Sequence, residues 1–268
     1  MLEGTPGHPT ASDLSGAARG TAVLVPGFTG SKEDFIAVLP LLLDAGYTVV
    51  ALDLAGQNET PGRSDGDKYS LAGFADDVIA VAELYSDRPV HLVGHSLGGL
   101  ICRAAATRHR FGSLTLLCSG PGPVPEEQRG RLQLFADVLD EHGADVLWQA
   151  MRALESEQGN HGPDDPRLAA FLAERFRRND PRSLLAMVDI LISDRPSAAT
   201  PVGSGTPTLV ITGQHDDVWW PSIQTEMAEV LGVRQVVIAD AGHSPAVDRP
   251  EPTAITLTEF WQHEGPRP

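Results

Sequence analysis

Ser96 stands in Gly94-His95-Ser96-Leu97-Gly98-Gly99, directly after the apolar run VHLV (90–93) and directly before residues with helical spacing. A serine on such a G-x-S-x-G turn between strand and helix is held with its hydroxyl exposed, and the helix that follows aims free N–H groups and its positive dipole end at the same point. Glycines suit positions 94 and 98 because side chains there would collide in so tight a turn. A hydroxyl needs a base to become a nucleophile, and nine histidines compete for that role. His8 lies in a Gly- and Pro-rich arm, His91 inside a strand and His95 in the turn itself. His109, His142, His161 and His263 fall on helices or in polar loops. His243 differs, because Ala241-Gly242-His243-Ser244 follows the apolar run QVVIA (235–239). An acid to orient it is expected past another strand end. TLVIT (208–212) runs into Gly213-Gln214-His215-Asp216-Asp217, which offers Asp216 and Asp217, whereas the residues after LTLLC (114–118) offer none. Acyl transfer also needs two N–H donors where negative charge develops. Leu97 N–H follows the nucleophile, and the loop Pro26-Gly27-Phe28-Thr29-Gly30 after TAVLV (21–25) can supply a second from Phe28.

These residues need a scaffold that brings distant strand ends together. Apolar runs at 21–25, 48–54, 90–93, 114–118, 208–212 and 235–239 read as buried strands, and they alternate with helical spacing at 31–45, 70–86, from 96, at 221–231 and at 250–261. Ser31 as N-cap with Asp34 at N3 opens the first of these helices and Gly46 stops it. Pro250 suits the first turn of the last helix. Strands alternating with helices imply parallel crossovers and a sheet covered on both faces. From about 121 to 205 only helical spacing occurs, with turn signals at Gly143, at 159–166 and at Asp180-Pro181. The strand rhythm then resumes, so this stretch is expected to be an insertion folded as a lid or cap. The expected class is therefore α/β, a mostly parallel sheet flanked by helices. Residues 1–120 and 206–268 form its core, 121–205 form the cap, and 1–20 form an irregular arm with at most a weak edge strand.

Composition excludes several alternatives. A chain of 268 residues with 41% hydrophobic and 21% charged residues is long and apolar enough for a sizeable core. Its net charge of −16 is repelled by nucleic acid and by anionic membranes, so neither is expected as a partner. Two cysteines, Cys102 and Cys118, are too few for a disulfide framework or a four-ligand metal site and are expected as buried thiols. The N-terminal residues have no signal-like apolar region. The apolar stretch 35–43 is too short to span a bilayer and contains Pro40, so a cytoplasmic location is expected. Oligomeric state is not legible.

The segments PGFTGSKEDF (26–35), GHSLGG (94–99), GQHDDVWWP (213–221) and AGHSPAVDRPE (241–251) together resemble the α/β-hydrolase superfamily, in its capped esterase- and lipase-like branch. The resemblance covers about residues 21 to 261 outside the cap. It implies a triad of Ser96, Asp216 and His243, with Asp216 the acid rather than Asp217, and Phe28 and Leu97 as oxyanion donors. It also implies carboxylic-ester hydrolysis through an acyl-Ser96 intermediate, with thioesters and lactones as near variants, and no metal or organic cofactor. Three departures stand out. Pro26 replaces a histidine common in the family, 53–65 is longer than the family's turn, and the first two strands are not legible. Six or seven strands are expected. Phe28, Trp148, Trp219 and Trp220 are the expected walls of a pocket for a small apolar substrate. The same triad could instead cleave a carbon–carbon bond of a β-diketone-like compound, and the same fold could serve as a non-catalytic ligand receptor.

Overall fold

Seven strands make one sheet in the order β1-β3-β2-β4-β5-β6-β7. They are β1 (Leu2–Gly4), β2 (Thr21–Val25), β3 (Thr48–Ala51), β4 (Val90–His95), β5 (Ser113–Leu117), β6 (Thr208–Gly213) and β7 (Arg234–Ile238). The computed structural model describes residues 1–4, 18–64, 69–157, 163–193 and 205–264. The six strands from β2 to β7 run parallel, and β1 pairs antiparallel with β3 at the edge, Glu3 facing Val50. Strands β2, β4 and β5 are buried at every residue, as parallel strands covered on both faces must be.

One face carries α2 (Leu71–Glu83) and α3 (Leu97–Ala106) over a core that includes Phe74, Val78, Leu92 and Ile101. The other carries α1 (Leu39–Asp44) and α9 (Pro250–Glu264), with Phe35, Leu42, Phe260 and Trp261 packed on the sheet. Ser70 caps α2 by accepting from Gly73 N at 3.1 Å, which satisfies one of the free donors of the first turn. The helix expected over 31–45 divides in two. A 3-10 turn at Lys32–Phe35 keeps the Ser31–Asp34 capping pair, and α1 starts afresh with Pro40 in its first turn, because proline cannot donate within a continuing helix.

The strand expected over 48–54 stops at Ala51. Beyond it Asp53 turns inward to Lys32, accepting from its backbone N at 2.8 Å and its Nζ at 2.6 Å, while Glu59 and Glu33 hold the same ammonium at 2.8 and 3.1 Å. Burial opposes the Lys32 charge, but these three carboxylates outweigh it and push the ammonium's pKa up.

Among the described residues three helices lie between β5 and β6: α4 (Glu126–Glu157), α5 (Pro166–Arg177) and α6 (Pro181–Ile192). Helix α4 bends at Gly143, which is non-helical (φ 79°, ψ 174°). Asp165 and Asp180 cap α5 and α6, each followed by proline at the first position. The insertion is tied to the core through Asp180 N to Gly56 O (2.8 Å), Ser183 Oγ to Ala55 O (2.8 Å), Tyr69 OH to Asp180 Oδ2 (2.7 Å) and Arg175 Nη1 to Ser31 Oγ (3.1 Å). The remaining helices are α7 (Pro221–Leu231) and the one-turn α8 (Pro245–Asp248). Among the described residues no helix is long and apolar enough to cross a membrane. His8 and His161 lie outside the described residues.

Candidate active site

The turn from β4 into α3 bends at Ser96, whose φ of 53° and ψ of −121° lie where a residue with a Cβ is strained. Its neighbours impose this geometry. A Cβ on Gly94 would collide with the backbone of Gly98, and one on Gly98 with the carbonyls of Val25 and Pro26. Ser96 N is held by Leu117 O at 2.9 Å. The strain is thus maintained by close packing of β2, β4 and β5, and it presents the side chain at the carboxyl edge of the sheet.

His243 follows β7 at the same edge. Its Nδ1 lies 2.9 Å from Asp216 Oδ1. An ionised carboxylate only accepts, so Nδ1 carries a proton, and it is the tautomer with Nε2 free to accept that this bond favours in a neutral ring. Asp216 is buried and accepts two further bonds, from Val218 N at 2.9 Å and from Gln224 Nε2 at 2.7 Å. Burial would raise its pKa, but the bonds from His243, Val218 and Gln224 prevail and hold the carboxyl below its usual range. Asp217 is exposed, and its backbone carbonyl accepts from Gln128 Nε2 at 2.9 Å.

His95, in the turn itself, turns out to serve the same constellation. Its Nε2 lies 2.7 Å from the backbone carbonyl of His243, and its ring stands 5.0 Å from the His243 ring. Burial and the neighbouring His243 push its pKa down to about 4, so it is the neutral ring that donates to that carbonyl. No spacing signal in the sequence could have found this contact, because it joins residues 148 positions apart.

Leu97 is the first residue of α3, so its N–H has no carbonyl within the helix to serve. Phe28 lies in the turn after β2, closed by Gly30 N to Gly27 O at 3.2 Å. Ser96, His243, Phe28 and Thr29 line one wall of a cavity of about 530 Å³. The opposite wall comes from the inserted helices, with Leu132, Phe135, Leu147, Met151 and Leu154 of α4 and Leu191 of α6. That wall is mostly apolar, with Arg131 and Gln128 as polar exceptions, and Asp217 and Val218 also line the cavity.

Of the four aromatic residues expected in the pocket, only Phe28 lines this cavity. Trp219 is fully buried, lies against Gly120 and places its Nε1 3.4 Å from Pro123 O. The absence of a side chain at Gly120 is what admits the indole. Trp148 packs on Phe176 at 5.3 Å within the insertion, and Trp220 is largely exposed at the start of α7. The cavity wall is built instead from aliphatic residues of α4, with Phe135 edge-on to Phe28 at 4.9 Å.

One group of metal-ligand types occurs among the described residues. Cys118, Asp216 and His243 place their ligand atoms within 4.8 Å of one another. These atoms already serve each other and the backbone, Cys118 Sγ accepting from Gly213 N at 3.2 Å, so an ion there would displace the His243–Asp216 bond. Cys118 and Cys102 are both free and buried, and burial pushes both thiols up.

The chain belongs to the alpha/beta hydrolase family, whose model matches residues 22–256. It is 27% identical over 265 residues to monoacylglycerol lipase abhd6-B of Xenopus laevis, spanning 90% of this chain and 74% of that one. Solved structures share the fold, two of them as follows. A thermophilic esterase from Thermogutta terrifontis matches with a TM-score of 0.74 at 24% identity, covering 93% of this chain and 92% of the esterase. MenH from S. aureus matches with a TM-score of 0.78 at 18% identity, covering 98% of each chain. The chain is therefore an α/β hydrolase with esterase- and lipase-like relatives.

Proposed function

We propose that the protein is a serine hydrolase that cleaves a carboxylic ester, or a closely related thioester or lactone, of a small apolar substrate. The observation that carries this reading is that His243, oriented by Asp216 at 2.9 Å, shares the wall of one apolar cavity with Ser96. In this reading His243 Nε2 takes the Ser96 hydroxyl proton as Oγ bonds to the substrate carbonyl carbon. The carbonyl oxygen becomes an oxyanion and accepts hydrogen bonds from Phe28 N–H and Leu97 N–H. Collapse of this intermediate expels the alkoxide, which takes the proton from His243. Water, deprotonated by His243, then attacks the acyl-Ser96 ester and restores the hydroxyl. Asp216 stays ionised throughout, fixing the tautomer and stabilising the imidazolium. The helical insertion acts as a cap, since its aliphatic side chains supply most of the surface that an acyl group would meet.

The test is treatment with a fluorophosphonate probe together with turnover of p-nitrophenyl esters of increasing acyl length. Covalent labelling lost in Ser96→Ala, with release of p-nitrophenol by the wild type, is the expected result. Absence of labelling would point to a binding protein on a hydrolase scaffold. Labelling without ester turnover would point to hydrolytic carbon–carbon cleavage.

A further inference from the structure

We infer that Gln57 is a positioning residue that aims the Phe28 N–H at the reacting carbonyl oxygen; the inference rests on the serine-hydrolase reading above. Gln57 is fully buried, in the loop that follows β3. Its amide is used at both ends. Oε1 accepts from Leu54 N at 3.1 Å, and Nε2 donates to the carbonyl of Gly27 at 2.9 Å. These partners settle the amide's orientation, because Leu54 N can only donate and Gly27 O can only accept.

Gly27 O and Phe28 N–H belong to one peptide unit. In a planar trans peptide the carbonyl and the following N–H point in opposite directions, and no cis peptide occurs among the described residues. A donor that pulls Gly27 O towards residue 57 therefore turns the Phe28 N–H the other way. This peptide lies beside the nucleophile, since a Cβ built on Gly27 would lie 2.9 Å from Ser96 Cβ and Phe28 shares the cavity wall with Ser96, and on the serine-hydrolase reading it is the Phe28 N–H that faces the reacting carbonyl oxygen. Gly30 N also donates to Gly27 O, at 3.2 Å, but from within the same short turn, so it moves with that turn and does not anchor it to the rest of the fold. Gln57 supplies the external anchor. Its Nε2 also approaches Met187 Sδ of α6 at 3.9 Å, so the residue that sets the donor's direction is packed beneath the cap.

The test compares Gln57→Met and Gln57→Glu with the wild type in ester turnover at pH 8. Met fills similar volume and cannot donate. Glu keeps an acceptor for Leu54 N and presents a carboxylate to Gly27 O. Removal of one oxyanion donor typically lowers kcat by roughly 10²–10³-fold, and a misaimed donor should approach the lower figure. The expected result is a fall in kcat of at least ~10-fold with KM changed less than ~3-fold. The inhibition constant of a trifluoromethyl ketone, whose serine adduct carries the oxyanion, should rise by the same factor as kcat falls. A purely structural role would lower thermal stability without this parallel. If the Met variant fails to fold, the Glu variant decides. Folded variants with unchanged kcat, or with ketone inhibition unaltered, overturn the inference while leaving Ser96 chemistry intact. A wild type that no fluorophosphonate labels and that turns over no ester overturns the hydrolase reading and this inference with it.

Discussion

Gln224 reaches back eight residues and donates from Nε2 to Asp216 Oδ2 at 2.7 Å, so the carboxylate that orients His243 is itself oriented by α7. The same Nε2 donates to Trp219 O at 2.7 Å, and Oε1 accepts from Thr212 Oγ1 at 3.0 Å. Gln224→Leu should leave Asp216 Oδ2 buried with one fewer donor. The carboxyl pKa should rise from its depressed position, and with the carboxylate less firmly held kcat should fall at neutral pH while the fold persists. An unchanged kcat in the folded variant would rule this out.

Ser96→Ala should lower kcat by on the order of 10⁴–10⁶ without loss of fold. Ser96→Gly should be equally inactive yet more stable than the alanine variant by about 1 kcal/mol, because a Cβ at φ 53° costs on the order of 1–3 kcal/mol and the entropy penalty of glycine only about 0.4–1 kcal/mol. Chemical denaturation of the two variants side by side measures the difference.

Asp216→Asn should be far more harmful than Asp217→Asn. The first replaces the acceptor of His243 Nδ1–H, and a loss approaching ~10⁴ in kcat has been the cost of such a change in serine triads. The second alters an exposed side chain and should cost less than about threefold. Equal effects in steady-state assays would contradict the assignment.

Chain-length preference should respond to α4 and not to the tryptophans. Met151→Trp should lower kcat/KM for long acyl esters more than for acetate, whereas Trp148→Ala should leave that ratio unchanged and lower the melting temperature, because Trp148 packs on Phe176 and lies off the cavity wall. An ester panel of graded acyl length distinguishes the two outcomes.

His91 is buried at the sheet, bonded to Ser113 Oγ at 2.9 Å and stacked on Trp261, and burial pushes its pKa down to about 4. A histidine with a lowered folded pKa takes up protons first in the unfolded chain, so its stabilisation is present above about 6.5 and is lost as pH falls from there to 4. The total is on the order of 3 kcal/mol. His91→Gln keeps a hydrogen-bonding group and should flatten the fall in stability between pH 6.5 and 4, as read by denaturation midpoints across that range.

Local signals carried most of the fold. Pro221 opens α7 and Gly232, in the left-handed conformation, closes it, so both ends of that helix were readable. The run TAVLV is β2 residue for residue. The break at residues 36–38 was hidden because apolar spacing continues through Pro40 while the hydrogen-bond ladder does not. Ser96, Asp216 and His243 could be singled out because each lies just past an apolar run, and the fold gathers them at one edge of the sheet. Trp219 was misread because an aromatic residue beside a catalytic loop can face either the cavity or the core, and the space that decides lies at Gly120, about a hundred residues away. Gln57, His95 and Gln224 meet their partners through contacts that no periodicity encodes.

Strands β5 and β6 are hydrogen-bonded neighbours, with Leu117 beside Ile211, although the insertion separates them in the chain. Closing a loop costs free energy that grows only with the logarithm of its length, so doubling an insertion of about 90 residues would burden the core by only about 0.6 kcal/mol. The sheet is thus nearly indifferent to the size of what it carries between these two strands. Folding speed is not indifferent, since the pairing must wait for distant segments to meet. Over evolutionary time the roof of the cavity can be lengthened, shortened or exchanged at little thermodynamic cost to the sheet beneath it, with the tempo of assembly as the quantity that selection must then protect.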